Sequence, residues 1–200
     1  GFGPDDELDG ALLLAGYVDR LAHGRHCFQT TYLNDRFPEY FDHEDFRLVW
    51  MLREPRSVVY SMLYNWKRGA LNRLFDACGE ERLNAERPRS LLGDWVGPSR
   101  LDKACASYVA KTEQTRVLRD KLGDRMAIVD YDELVSHQEL LLPQLCEFAS
   151  IPYGSNLARQ LHAKSLHKGN RLADADADYV DGLCRSAYRD ARSLRTIGVE

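Results

Sequence analysis

The chain has 200 residues and a formal net charge of −4 at pH 7. This length predicts one domain that can bury about 70% of the surface its unfolded chain exposes. The acidic balance argues against a general nucleic-acid binder. The five cysteines are odd in number and far apart, so reduced thiols in a cytoplasmic setting are expected, with neither a disulfide framework nor a zinc site. No apolar run approaches the ~18 residues of a membrane span, so no transmembrane segment is expected.

The first part of the chain predicts a helix, a strand and a second short helix. Apolar residues at helical spacing mark residues 7–23, and Gly24 is placed to end that helix. Residues 27–33 are β-branched and aromatic, which favours a strand. A short helix over residues 37–41 then leads to the central strand.

Residues 46–61 predict a buried parallel strand, a tight turn and a helix that Pro55 opens. Arg53 follows the strand, at the carboxyl edge where open α/β sheets bind ligands. Ser57 and Ser61 are four residues apart and share one helix face. An anion here would meet a guanidinium group, hydroxyl donors and a helix N-terminus. The alternative is that Arg53 pairs with a neighbouring glutamate, Glu54 or Glu39, while both serines face solvent.

The next hundred residues alternate between surface and core patterns. Mixed charges over residues 67–89 predict a solvated surface, and residues 93–98 predict a loop. Ser99 and Asp102 form a capping-box pattern for a helix that Gly123 ends. Residues 126–131 then predict a second buried strand.

Two helices are predicted near the end of the chain. The first is rich in leucine, with Ser136 and Glu139 as a capping box and Pro143 either kinking it or delaying its start. The second is amphipathic and ends near Gly198. Four aspartates between residues 174 and 181 lack the glycine and glutamate of a calcium loop, which favours a solvated acidic helix start.

Three motifs in this order resemble those of sulfotransferases that use 3′-phosphoadenosine 5′-phosphosulfate (PAPS). Arg53-x-Pro55, with Ser61 eight residues after the arginine, resembles their 3′-phosphate signature. The turn that begins at Tyr131 resembles their Tyr-Glu-Asp-Leu turn, whose tyrosine contacts adenine. Residues 167–169, His-Lys-Gly, resemble their Arg-Lys-Gly loop. Taken alone, Tyr131 is as consistent with a core tyrosine at a strand end.

The resemblance covers residues 27–170 and implies a fold, a reaction and a site. The fold is a three-layer α/β/α domain with a parallel central sheet, of the P-loop nucleotide-kinase type, over residues 1–200. The reaction is sulfuryl transfer from the co-substrate PAPS to a hydroxyl or amine of a small-molecule, lipid or carbohydrate acceptor, without a metal. The implied binding residues for the co-substrate are Arg53, Ser61, Tyr131, His167, Lys168 and Gly169.

Two features depart from that family. Gln29-Thr30-Thr31 stands where these enzymes carry Lys-Thr-His, so both the lysine and the usual general base are replaced. The glycine-rich Lys-x-Gly-Thr loop that holds the 5′-phosphosulfate does not occur in the 200 residues. We expect that the first strand, loop and helix precede residue 1 or have been removed, or that donor binding has been lost.

The general base therefore has only weak candidates in this sequence. His26 lies beside the strand expected over residues 27–33, and Asp35 lies just past it. A histidine or glutamate upstream is an equal alternative. Two other functions stay open, namely a P-loop-type phosphotransferase and a catalytically inactive nucleotide-binding domain.

Overall fold

The described part of the chain forms a mostly helical α/β structure around two parallel strands. The computed structural model describes residues 46–67, 69–86, 97–154, 161 and 166–199. The elements predicted over residues 7–23, 27–33 and 37–41 lie outside these ranges. The strands and α-helices are β1 (Leu48–Leu52), α1 (Pro55–Tyr64), α2 (Ala70–Leu74), α3 (Glu80–Glu86), α4 (Arg100–Leu122), β2 (Met126–Asp130), α5 (Tyr131–Ser136), α6 (Gln138–Phe148) and α7 (Asp174–Arg192).

The two predicted strands pair in parallel, as expected for buried apolar runs. Leu48 lies opposite Met126, and the register continues to Leu52 opposite Asp130. Every residue of β2 is buried, which agrees with the apolar run over its first four residues; the fifth is the buried Asp130. Mixed α/β architecture is therefore present, with a two-stranded sheet in the described residues. Tyr131, predicted to end the second strand, instead begins α5.

The predicted helix at Pro55 is confirmed. Pro55 occupies its first turn, where a missing N–H costs nothing, and the Glu54 side chain caps it. The Glu54 carboxylate accepts from the backbone N–H groups of Arg56, at 3.0 Å, and Ser57, at 2.8 Å. Val59 is fully buried against α4, so the apolar face of α1 lies in the core.

Helix α4 is the longest described element and begins and ends as predicted. Ser99 and Asp102 form the capping box, and Gly123 ends the helix with a φ of +53°. The helix packs against α7, α1 and the stretch 70–86. Its buried side chains include Cys105, Tyr108 and Leu118.

The stretch before α4 is more ordered than its mixed charges predicted. Helix α2 continues through a π-helical turn, Phe75–Gly79, into α3. Leu71, Leu74 and Phe75 are buried, because one apolar stripe runs beneath the charged face. The prediction of a solvated surface concerned the charged residues, and it did not include this buried apolar stripe.

The leucine-rich helix α6 begins differently from its prediction. Its N-cap is His137, without a side-chain hydrogen bond, so the predicted Ser136 capping box is wrong. The Ser136 hydroxyl donates to the carbonyl of Asp132 instead, at 2.8 Å. Pro143 lies inside the helix, so it does not delay the start.

The end of the chain returns to the sheet. Helix α7 ends at Arg192, so the prediction of a helix reaching Gly198 is wrong. Thr196 and Ile197 then donate their N–H groups to the carbonyl of Ile128, and Ile197 bridges Val129 in parallel. The tail thus forms hydrogen bonds with β2, which is also paired with β1. Among the helices of the described ranges, none combines the length and apolar character needed to cross a bilayer.

Candidate functional site

Arg53 and Tyr131 meet at the carboxyl edge of the two strands. The parallel register sets the last residues of β1 and β2 side by side, so the residues that follow them also lie close together. The Arg53 guanidinium carbon lies 4.5 Å from the centroid of the Tyr131 ring. Its Nε donates to Oδ1 of Asp132 at 3.3 Å. A cation packed on an aromatic face and beside a carboxylate is held in one orientation.

The backbone of Arg53 is also anchored. The hydroxyl of Tyr108, on α4, donates to the Arg53 carbonyl at 2.8 Å. Burial raises the pKa of Tyr108, so its hydroxyl stays protonated and remains a donor. No local sequence pattern connects Tyr108 to Arg53, because the two residues are 55 positions apart.

The expected helix N-terminus is already occupied by a side chain. The N–H groups of Arg56 and Ser57 are bound by the Glu54 carboxylate. Of the two alternative partners predicted for Arg53, Glu39 lies outside the described residues, and the Glu54 carboxylate caps α1. Arg53 forms an ion pair with Asp132. An anion at this edge therefore meets side-chain donors, because these two backbone donors are used.

The two serines of α1 have different surroundings. Ser57 is only 2% exposed, and its hydroxyl accepts the N–H of Gly169 at 3.2 Å. Ser61 is half-buried, and its hydroxyl accepts from the Asn65 side chain at 3.4 Å. The alternative of two solvent-facing serines is therefore wrong for Ser57. The position of Ser61, which is only half-buried, is compatible with that alternative.

The segment carrying His-Lys-Gly packs on the first turn of α1. Lys168–Arg171 forms a 3₁₀ turn, preceded by His167 in a left-handed conformation with a φ of +57°. A Cβ added to Gly169 would lie 2.5 Å from the Cβ of Arg56, so only glycine fits this approach. His167 is exposed and Lys168 is half-buried. The turn is thus brought beside the helix that Arg53 precedes.

Aromatic and ionic contacts attach this turn to its surroundings. The Arg171 guanidinium lies 6.0 Å from the Tyr60 ring on α1. Arg56 binds Asp181 of α7 through two hydrogen bonds of 2.9 Å each. The first turn of α1 is therefore held between the 3₁₀ turn and α7.

A buried carboxylate, that of Asp130, caps helix α5 next to Tyr131. Asp130 is 2% exposed and accepts the N–H groups of Asp132 and Glu133, at 3.0 and 3.1 Å. It also accepts from the Tyr188 hydroxyl, and Nε of Arg192 lies 3.6 Å away. Burial and the hydrogen bond to Asp130 raise the pKa of Tyr188. An aspartate directly before a helix is the sequence signal that identifies such a cap.

The surroundings of Asp132 shift the pKa of its carboxyl in opposite directions. Burial raises the pKa of its carboxyl, and Arg53 counteracts part of that rise. The carboxylates of Asp130 and Glu54 add to it, because like charges disfavour ionisation.

The remaining predicted residues lie elsewhere. His26, Asp35 and the Gln29-to-Thr31 segment lie outside the described residues. His137 is the exposed N-cap of α6. Among the described residues, no group of three or more histidine, cysteine or acidic side chains is arranged to hold a metal ion.

The described geometry thus gathers Arg53, Tyr131 and the turn at Gly169 around the start of α1. A guanidinium fork, an aromatic ring and a lysine-bearing turn suit a phosphorylated aromatic ligand. A scan of protein-family models and searches of curated proteins and solved structures found no match for this chain.

Proposed function

We propose that this chain is a PAPS-dependent sulfotransferase domain. The observation that carries the proposal is the convergence of three separate segments on the first turn of α1. Arg53 lies two residues before that turn and packs on Tyr131, while Gly169 bonds to Ser57 within the turn. These are the three segments whose motifs resemble those of sulfotransferases. The proposal includes a three-layer α/β/α fold. In that fold, β1 and β2 would be two neighbouring strands of the central parallel sheet.

Each residue has a proposed role in binding the nucleotide. Arg53 would bind the 3′-phosphate through charge-assisted hydrogen bonds, aided by the Ser61 hydroxyl. Lys168 and His167 would add positive charge or hydrogen bonds from the turn that Gly169 allows to approach. Tyr131 would contact the adenine by the part of its ring that Arg53 leaves accessible.

The proposed reaction is an in-line displacement at sulfur. The acceptor oxygen or nitrogen forms a bond to sulfur as the bond between sulfur and the bridging phosphate oxygen breaks. The acceptor proton passes to a base, for which His26 is the proposed residue, and adenosine 3′,5′-bisphosphate leaves. Charge that develops on the bridging oxygen needs an electrostatic partner, which a loop lysine supplies in the family that the chain resembles. The acceptor is proposed to be a small molecule, lipid or carbohydrate.

Calorimetric titration with adenosine 3′,5′-bisphosphate, ATP and adenosine 5′-monophosphate tests this function. We expect the bisphosphate to bind at least about tenfold more tightly than either comparison ligand, since a charge-assisted contact contributes about 1.5–3 kcal/mol. A preference for ATP would instead support a phosphotransferase. Failure of the folded protein to bind any of the three would support a domain that lacks the donor site.

A further inference from the structure

Asp132 has an unusual position for an acidic residue beside a candidate phosphate site. Its carboxylate accepts from Nε of Arg53, the residue assigned to the phosphate. Its backbone N–H donates to Asp130 at 3.0 Å, and its carbonyl accepts from Ser136 at 2.8 Å. The Asp132 backbone is therefore fixed on both sides, which gives its carboxylate a defined place.

The contacts on Arg53 come from two directions. Asp132 binds the Nε edge of the guanidinium, while the adjacent Tyr131 covers a face. A long arginine side chain loses rotamer entropy when it is fixed by a ligand, and recognition is stronger when less of that entropy remains to be lost on binding. Because one edge and one face of the planar guanidinium are held in place, the group can bind a phosphate in a single orientation.

The negative charge of Asp132 has the opposite effect on phosphate binding from its orientation of Arg53. A carboxylate next to an anion site repels the ligand, and the side chain is only 29% exposed, so water screens it incompletely. Removing the negative charge alone should therefore strengthen phosphate binding. Removing the hydrogen-bond acceptor as well should loosen Arg53. The two contributions have opposite signs and can be separated by substitution.

We propose that Asp132 is a positioning residue that orients the Arg53 guanidinium for the 3′-phosphate and thereby sets the preference for 3′-phosphorylated nucleotides. This role rests on the proposed sulfotransferase function. Asp132 acts through Arg53 and does not itself bind the ligand. The charge of its carboxylate weakens phosphate binding, and its hydrogen bond fixes the orientation of the arginine.

The test compares two uncharged variants by calorimetric titration with adenosine 3′,5′-bisphosphate and adenosine 5′-monophosphate. Asp132→Asn keeps a side-chain oxygen that can accept from Nε, and Asp132→Ala does not. We expect the alanine variant to bind the bisphosphate about 3- to 10-fold more weakly than the asparagine variant, since loosening Arg53 costs part of its contact with the phosphate. The monophosphate should bind both variants equally.

A double-mutant cycle separates positioning from a general structural effect. In an Arg53→Ala background the two Asp132 variants should bind the bisphosphate equally, because no guanidinium remains to be oriented. The same pair of substitutions at Asp120, an exposed acid on α4, should change neither affinity. If Asp132→Ala lowers the thermal midpoint markedly, Asp132→Ser, which is shorter and uncharged, replaces it in the comparison.

Three results would overturn the assignment. Equal bisphosphate affinities for Asp132→Asn and Asp132→Ala would show that the acceptor does not matter. A difference that persists without Arg53 would show that Asp132 acts by another route. In both cases a selective wild-type protein would leave the proposed function standing. A wild-type protein that does not distinguish the bisphosphate from the monophosphate would contradict the function and this role together.

Discussion

The backbone N–H of Gly169 donates to the Ser57 hydroxyl at 3.2 Å, which joins two segments that are 112 residues apart in the chain. Ser57 is buried, and Gly169 lies directly against the backbone of α1. This contact places the His-Lys-Gly segment next to the arginine that precedes the same helix. The relative position of the two cationic segments therefore depends on one small residue.

Gly169→Ala should displace the turn from α1. The added Cβ would lie 2.5 Å from the Cβ of Arg56 and 3.0 Å from the Ser57 nitrogen, so the backbone must move. We expect a loss of about 1–3 kcal/mol in the free energy of unfolding, typical of overpacking, measured by urea denaturation. Bisphosphate affinity should fall as well.

Gly182→Ala is the matched control for that substitution. Gly182 is exposed within α7, and an added Cβ meets nothing within 4 Å. Alanine should stabilise the helix there by up to about 1 kcal/mol. Equal effects of the two substitutions would contradict the close packing of Gly169.

Arg53→Ala should weaken binding of adenosine 3′,5′-bisphosphate about tenfold to a hundredfold, because a charge-assisted contact contributes about 1.5–3 kcal/mol. Binding of adenosine 5′-monophosphate, measured by the same calorimetry, should change little. Arg116→Ala, at an exposed position of α4, serves as the charge-matched control. Equal losses for both nucleotides would place the 3′-phosphate elsewhere.

The pair between Arg56 and Asp181 should give stability that depends on pH. The hydrogen bonds from Arg56 lower the pKa of Asp181, burial opposes this, and Arg185 lowers it further. Because the folded-state pKa lies below the unfolded value of about 3.9, the contribution is present above that pH and is lost as the pH falls through the folded-state pKa.

Asp181→Asn should therefore cost about 1 kcal/mol near pH 7, the upper range for a partly exposed ion pair. The difference from the wild type should shrink in acid, in a series of urea denaturations between neutral and low pH. Asp178 is an exposed acidic residue of the same helix, and Asp178→Asn should change the free energy of unfolding less at neutral pH. A constant difference across the series would mean that the Asp181 charge is not the cause.

Thr196→Val should destabilise the junction between the tail and the sheet. The Thr196 hydroxyl oxygen accepts the N–H of Ile128 at 2.9 Å, and valine has nearly the same shape without an acceptor. Since Ile128 is fully buried, its unpaired N–H should cost about 1–3 kcal/mol of unfolding free energy. Thr196→Ser keeps the oxygen and should retain most of that stability. If Thr196→Ser were less stable than Thr196→Val, the threonine methyl group and not its hydroxyl would be responsible for the stability.

Local elements were predictable where short-range chemistry determines them. The apolar run before Arg53 indicated a strand, and Pro55 indicated the helix that follows. The Ser99–Asp102 capping box and Gly123 predicted both ends of α4 correctly. These signals act within a few residues, so the chain alone contains the information.

Predictions failed where another hydrogen-bond partner, near or distant in the chain, competes with the expected one. Ser136 bonds to a carbonyl one turn earlier and does not cap α6. Residues 196–197 leave the helical pattern because β2 has hydrogen-bonding groups that they satisfy. The buried apolar stripe of α2 was not predicted, because the charged residues of the same stretch dominated its sequence pattern.

The sequence by itself determined which residue types stand at the candidate site and their order along the chain: Arg53, Tyr131 and the His-Lys-Gly segment. Only the tertiary structure decided that the Glu54 carboxylate occupies the start of α1, that Asp132 and Tyr108 hold Arg53, and that Gly169 reaches Ser57. The reason is physical. Such contacts depend on parallel strand register and helix packing, which bring together groups that no local pattern connects.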